Sequence, residues 1–143
     1  MNYDVWGPWS ATTGPVGPLN DSCVANPSQS VGSAVSALKA WTDAGFPKSQ
    51  IVLGVPAYGY GYVVDDSSAF KSGSKTQLAS SFVPYKNPAT QGSSSVDICG
   101  VTEPASAIYD FTSIHATGLL DCNGLPAKGV PNYFDTCSQS VSC

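Results

Sequence analysis

The first nine residues contain side chains that can bind and orient a polar ligand. Tyr3 and Asp4 are adjacent and supply a phenolic hydroxyl and a carboxylate, and two tryptophans, Trp6 and Trp9, follow them. A phenol and a carboxylate can hold a polar group by hydrogen bonds, and an indole offers a flat apolar face with a polar edge. Taken alone, Tyr3 and Asp4 are more typical of a strand end followed by a turn-forming aspartate. Their interpretation therefore depends on the elements that position them.

Two strands and a helix are predicted around these residues. Residues 2–6 are short and β-prone, and residues 51–55 form an apolar run without alternation, which suits a strand buried on both faces of a parallel sheet. Ser28 or Ser30 is expected to cap the intervening helix, and Gly45 to end it. The apolar residues of this helix recur at the spacing of one helical face: Val31, Ala34, Val35, Leu38, Trp41 and Ala44.

Strand, helix and strand together predict one right-handed βαβ unit over residues 1–60. Chemistry in such units sits in the loops at the carboxyl ends of the strands, so Tyr3, Asp4 and Tyr58 are expected at one edge of the sheet. Two parallel strands do not make a sheet that stands alone, and further strands are expected to flank them.

Residues 61–143 are predicted to form a small α+β region. They are rich in serine, glycine, aspartate and threonine, with scattered aromatic residues. Residues 108–114 are predicted to form a short helix that Gly118 ends, and residues 82–85 to form an edge strand because they include a proline. Residues 91–95 are predicted to form a loop or flexible tip.

The charge composition argues against nucleic acid as a partner. The net charge is −4, and the chain has six lysines and no arginine, so it lacks a basic patch that could neutralise phosphates. Charged residues make up 11% of the chain, which indicates a neutral surface rich in hydroxyl groups. Nor does any run of about 18 apolar residues indicate a membrane span.

The cysteines favour disulfides in a secreted protein. They are spread without a CxxC pair, which argues against a zinc site or a thioredoxin-like centre. Their pairing is left open, but an odd number leaves one thiol over, and Cys143 is the expected one. The Asn20-Asp21-Ser22 sequon agrees with secretion without establishing it, and glycosylation of Asn20 stays open. The five cysteines are Cys23, Cys99, Cys122, Cys137 and Cys143.

No metal or cofactor is expected. Asp65 and Asp66 lack the alternating oxygen ligands and the glycine of a calcium loop. His115 is the sole histidine and has no serine or cysteine nucleophile motif near it, and Glu103 precedes a proline in a predicted loop. Both are interpreted as surface residues.

Three stretches resemble the later half of fungal chitinases of glycoside hydrolase family 18. The opening motif M-x-Y-D, with the tryptophan at position 9, is similar to the sixth barrel strand and its loop. Residues 41–59, WTDAGFPKSQIVLGVPAYG, are similar to the sixth helix and seventh strand and are the most specific match. Residues 97–100 and 133–139 are similar to the α+β insertion that follows the seventh strand. The resemblance implies an α/β fold with part of a TIM (β/α)₈ barrel, about strands 6 and 7, over residues 1–60 and a small insertion domain over residues 61–143.

The resemblance also implies a reaction and roles in it. Family enzymes hydrolyse β-1,4-linked N-acetylglucosamine by a substrate-assisted route, in which the acetamido oxygen of the substrate attacks the anomeric carbon. Tyr3 and Asp4 would be catalytic: Tyr3 donates its hydroxyl to that oxygen, and Asp4 holds a polar group beside it. Neighbours on a strand need a kink to point the same way. Met1, Trp9 and Tyr58 would bind substrate.

Several of these residues have a structural alternative. Loop packing is as good an interpretation as sugar stacking for Trp6 and a weaker one for Trp9, while Tyr58 can instead be core at the barrel rim. Trp41 is expected in the core. Tyr60 departs from the family pattern, which often has arginine there.

The family motif D-x-x-D-x-D-x-E, whose glutamate protonates the glycosidic oxygen, is not in these 143 residues, nor is the tryptophan of the eighth strand. The leading hypothesis is a piece of a secreted chitinase that carries part of the cleft for chitin or chito-oligosaccharides, with the leader belonging to the longer parent. The alternatives are a non-catalytic chitin-binding protein and a truncated product without an autonomous role. An incomplete barrel predicts exposed strand edges and apolar helix faces, with marginal folding. Endo or exo action and oligomeric state are left open.

Overall fold

A computed structural model describes residues 1–90 and 107–143, together with the backbone of two short strands between them. Its helices are α1 (Ala34–Asp43), α2 (Asp66–Ala69) and α3 (Phe111–Ala116), with 3₁₀ turns at Pro27–Gln29 and Lys48–Gln50. Its strands are β1 (Tyr58–Tyr60), β2 (Tyr62–Val63), β3 (Asn87–Pro88), β4 (Ser95–Val96), β5 (Thr102–Glu103), β6 (Ile108–Asp110), β7 (Tyr133–Asp135) and β8 (Ser140–Ser142). Within this described part the strands form four antiparallel pairs: β1 with β6, β2 with β3, β4 with β5, and β7 with β8.

The helix predicted from apolar spacing is confirmed as α1, but the predicted N-cap residues, Ser28 and Ser30, are wrong. The N-cap is Ser33, whose side chain accepts from the Ser36 N–H in a reciprocal capping box. Ser28 lies in the preceding 3₁₀ turn, which Asn26 caps, and Ser30 follows that turn. The predicted stop is confirmed, because Gly45 has φ of 91°, a conformation that glycine adopts without strain.

The strands predicted at residues 2–6 and 51–55 are wrong. The two segments lie side by side, and one backbone hydrogen bond links them, from the Asn2 N–H to the Gly54 carbonyl at 2.9 Å. A parallel pair normally needs neighbouring strands to complete its hydrogen bonds and cover both faces. The described residues supply no strand beside this pair, so the ladder of the predicted βαβ unit does not form.

The missing neighbours leave apolar surface exposed, as the incomplete barrel predicts. Trp41, expected in the core, is 58% exposed, and Val52 is 91% exposed. Both line an open groove of about 440 Å³ between α1 and residues 51–53. Trp41 keeps one aromatic neighbour, Phe46, with ring centroids 5.7 Å apart.

The later part of the chain pairs with the earlier part where β6 forms a ladder with β1. Residues 108–110, predicted as part of a helix, instead pair with β1, and the Asp110 side chain then caps α3 by accepting from the Ser113 N–H. Gly118 follows the helix with φ of 74°, as predicted. Residues 82–85 are not a strand. Val83 is bonded through its backbone to the loop residue Thr13 rather than to a ladder.

A disulfide joins Cys23 to Cys137 and ties the first long loop to the β7–β8 hairpin. Cys143 has a free thiol, as expected, and so does Cys122. Cys99 and the predictions for residues 91–94 and 97–100 lie outside the described residues. The division of the chain near residue 60 stays a prediction. No helix in the described part is long and apolar enough to cross a membrane.

Candidate functional site

The carboxylate of Asp4 is the centre of the candidate site. Its Oδ1 accepts hydrogen bonds from the Tyr58 hydroxyl at 2.5 Å and the Tyr60 hydroxyl at 2.8 Å. Asp4 has φ of 56°, in the left-handed region that aspartate tolerates better than most residues. The backbone here therefore does not follow the strand alternation that would send the side chains of Tyr3 and Asp4 to opposite faces.

The structure adds Tyr60, which was not among the predicted site residues. Tyr58 and Tyr60 are two positions apart on β1, so their side chains share one face of the strand. Their ring centroids are 5.9 Å apart in an edge-on arrangement. The Tyr-Gly-Tyr alternation is a signal that could have identified Tyr60, but only the fold places Asp4 opposite this strand.

Asp4 contributes to a raised pKa of both phenols. The hydrogen bond to Asp4, assisted by partial burial and by the charge of Asp4 and Tyr3, raises the pKa of Tyr58 to about 12. Burial, followed by the hydrogen bond to Asp4, raises the pKa of Tyr60 as well. Both hydroxyls therefore stay protonated at neutral pH and act as donors.

Replacing Asp4 with asparagine should lower the pKa of Tyr58 towards its ordinary value of about 10, since the charged acceptor that favours the protonated phenol is gone. A titration of tyrosinate absorbance at 295 nm should then show more tyrosine ionised between pH 10 and 12 in Asp4→Asn than in the wild type. Asp66→Asn, which removes an exposed carboxylate from α2, is the matched control. Superimposable curves for Asp4→Asn and the wild type would contradict the proposed hydrogen bonds.

Tyr3 and Met1, two other predicted site residues, contact parts of the fold outside the hydrogen bonds of Asp4. The half-buried Tyr3 ring packs over Gly54, where an added Cβ would lie 3.1 Å from Tyr3 Cε1. Met1 is highly exposed and lines the apolar groove beside α1.

The two tryptophans near the amino end have different environments. Trp6 is 7% exposed and packs edge-on against Phe82, with ring centroids 5.2 Å apart, so it is a core residue. Trp9 is 63% exposed. Its ring packs edge-on with that of Tyr60, with ring centroids 5.7 Å apart and an interplanar angle of 80°. The contacts therefore join Asp4, Trp9, Tyr58 and Tyr60 into one cluster, while the roles of Tyr3 and Met1 stay predictions.

This arrangement can hold a ligand that has both polar groups and a flat apolar face. The Asp4 carboxylate and the oxygens of the two phenols, whose protons go to Asp4, can accept hydrogen bonds from a ligand, and Trp9 offers an exposed ring beside them. His115 lies in α3 and is exposed, and the side chain of Glu103 lies outside the described residues. In the described residues no three His, Cys, Asp or Glu side chains form a cluster that could hold a metal.

The sequence profile of Glycosyl hydrolases family 18 matches residues 1–123, most of the chain. The protein belongs to this family. Its fold therefore relates to the TIM-barrel type of family 18, although the described residues contain only short antiparallel strand pairs.

Relatives agree with the family assignment. A chitinase-like effector of Moniliophthora roreri is 46% identical over 98% of this chain and 35% of its own length. A chitinase-like effector of Moniliophthora perniciosa is 40% identical over 97% of this chain and 32% of its own length. This chain of family 18 thus spans about a third of the length of these relatives.

Solved chitinase structures also superimpose on nearly the whole of this chain. A chitinase from Rhizomucor miehei superimposes with a TM-score of 0.62 and 26% identity, over 99% of this chain and 37% of the other. A GH18 chitinase mutant from Cycas revoluta, solved in complex with (GlcNAc)4, superimposes with a TM-score of 0.58 and 19% identity, over 99% of this chain and 32% of the other. The family 18 chain therefore corresponds to about a third of each of these two solved chains.

Proposed function

We propose that this chain forms part of the substrate cleft of a chitinase-like protein that binds β-1,4-linked N-acetylglucosamine polymers. The observation that carries the proposal is the cluster in which Asp4 accepts from Tyr58 and Tyr60 beside the exposed ring of Trp9. Amphipathic aromatic rings next to fixed hydrogen-bonding groups suit a sugar, which has flat apolar faces and hydroxyl edges.

In the proposed cleft Tyr3 donates its hydroxyl to the acetamido oxygen of the sugar, and Asp4 holds a polar group beside it. These contacts orient the acetamido group for attack on the anomeric carbon and stabilise the charge that develops there. Tyr58 contacts the substrate with its hydroxyl, Trp9 stacks on a sugar face, and Met1 packs against the ring. The left-handed backbone of Asp4 supports these roles because it frees residues 3 and 4 from the side-chain alternation of a strand.

We propose that the general acid lies outside these 143 residues, which contain no D-x-x-D-x-D-x-E motif. We infer that the chain is part of a longer secreted protein that supplies the acid elsewhere. The Cys23–Cys137 disulfide supports the secreted location, since such bonds persist in oxidising compartments.

The isolated 143-residue chain should release no sugar from chito-oligosaccharides, because nothing protonates the leaving oxygen. Product analysis after prolonged incubation, with a complete family 18 chitinase as positive control, measures this. Turnover by the purified chain that Tyr3→Phe abolishes would show that the chain is itself a catalyst and would overturn the proposal.

A second function is favoured by the two Moniliophthora relatives, which are both chitinase-like effectors. In this alternative the protein binds chitin without cleaving it, through the same aromatic contacts. Saturable binding of chito-oligosaccharides by the chain, lost on Trp9→Ala and kept on Trp41→Ala, would favour it. Absence of saturable binding would remove it.

A further inference from the structure

The exposed ring of Trp9 is carried by a tight turn over residues 7–10. The Ser10 N–H donates to the Gly7 carbonyl at 2.8 Å, and the Gly7 N–H donates to Ser10 Oγ at 3.2 Å. The indole folds back over Gly7, where an added Cβ would lie only 2.3 Å from the ring. The turn is therefore closed at both ends, and it holds the indole against its own backbone.

A tyrosine from a distant part of the chain holds this turn. The Tyr85 hydroxyl lies 2.7 Å from the Pro8 carbonyl and 2.8 Å from the Ser10 carbonyl, and its single proton serves these two acceptors. These carbonyls belong to the residues on either side of Trp9. The Tyr85 ring is itself fixed, since it packs against Tyr62 with ring centroids 4.7 Å apart.

The neighbours of Tyr85 bind the same loop a few residues further on. The Thr13 N–H donates to the Val83 carbonyl at 2.8 Å, and the Val83 N–H donates to Thr13 Oγ at 3.0 Å. Thr13 Oγ donates in turn to the Ser81 carbonyl at 2.7 Å. Residues 81–85, here called the strap, thus hold the loop that carries Trp9 at two points.

We propose that Tyr85 is a positioning residue for Trp9. Its hydroxyl fixes the turn so that the indole is already oriented when a sugar ring stacks on it, and it does so without contacting the sugar. The proposal rests on the proposed function in that Trp9 is taken to contact the sugar. A side chain that is ordered before binding loses less freedom on binding, so loss of the hydroxyl weakens affinity by about three- to tenfold.

The first test needs no ligand. The chain is labelled with 5-fluorotryptophan, and the ¹⁹F resonance of Trp9 is assigned from Trp9→Phe. In Tyr85→Phe, which keeps the ring contact with Tyr62, the Trp9 resonance is expected to sharpen and move towards the position of free fluorotryptophan, while that of Trp41 stays in place.

Tyr62→Phe is the matched control. It removes a phenolic hydroxyl from the same ring pair, and that hydroxyl is buried without a hydrogen-bond partner among the described residues. It should leave the Trp9 resonance unchanged. An unchanged Trp9 resonance in Tyr85→Phe overturns the proposal. So does loss of native dispersion for every tryptophan, since that result would assign Tyr85 to general stability.

The second test is a double-mutant cycle with the tetramer of β-1,4-linked N-acetylglucosamine, measured by calorimetry. Tyr85→Phe should weaken binding in the wild-type background and have no further effect in Trp9→Ala. Equal losses in both backgrounds overturn the positioning role. If the wild-type chain does not bind the tetramer, the proposed function fails, whereas the ¹⁹F result still decides whether Tyr85 orients Trp9.

Discussion

Replacing Cys23 and Cys137 together with serine should lower the free energy of unfolding by about 4 kcal/mol. The two residues are 114 positions apart, so the cross-link closes most of the chain into one loop and lowers the conformational entropy of the unfolded state. Hydrogen bonds join the same parts of the fold. One is the hydrogen bond from the Leu19 N–H to the Ser138 carbonyl at 2.8 Å.

Urea unfolding followed by circular dichroism measures this effect. Small domains have total stabilities of only about 5–15 kcal/mol, so the loss should move the midpoint far towards zero urea. Cys143→Ser is the matched control, because Cys143 has a free, exposed thiol and its replacement should leave the midpoint in place. Equal midpoints for the double variant and this control would show that the disulfide does not stabilise the fold.

Replacing Asp21 with alanine should lower the free energy of unfolding by about 2–4 kcal/mol, since the buried Ser33 hydroxyl and two part-buried donors lose their charged acceptor. Asp21 is 5% exposed. Its carboxylate accepts from Ser33 Oγ at 2.6 Å, from Ser30 Oγ at 3.0 Å and from the Gly32 N–H at 3.0 Å. Since Ser33 is the N-cap of α1, the carboxylate fixes both the cap and the loop that leads to the helix.

The same contacts give this stabilisation a pH dependence. The hydrogen bond from Ser33, reinforced by those from Ser30 and Gly32 and opposed by burial, holds the pKa of Asp21 below its usual value. A carboxyl with a lowered native pKa stabilises the fold fully above its unfolded pKa of about 3.9 and loses that contribution as the pH falls through the native value. The stability difference between the wild type and Asp21→Asn should therefore be largest near pH 7 and shrink below pH 4.

Asp43→Asn is the control for Asp21→Asn, because it removes one carboxylate from a solvent-exposed pair with Lys39 on α1. Such pairs contribute about 0–1 kcal/mol, so this variant should unfold close to the wild type at either pH. A gap between the wild type and Asp21→Asn that stays constant from pH 7 to pH 3 would contradict the role given to the Asp21 charge.

The helix α1 was predictable from the sequence, whereas its cap and the conformation of the segments on either side of it were not. The helix was predictable because its apolar spacing and Gly45 are local features. Its cap was not, because three serines, at positions 28, 30 and 33, were available, and a buried aspartate earlier in the chain binds the third. The strands at residues 2–6 and 51–55 failed for the opposite reason, since a strand depends on partners that the described residues do not provide.

The sequence by itself determined the family resemblance, the helix and the residue types of the candidate site, since each of these depends on residues that are close together in the chain. Only the tertiary structure decided that Asp4 meets Tyr58 and Tyr60 and that Tyr85 holds the turn of Trp9. It also selected Cys137 as the partner of Cys23, with the Cα atoms 5.7 Å apart. These contacts join residues more than fifty positions apart, and no local pattern records such a pairing, because it depends on how the whole chain packs.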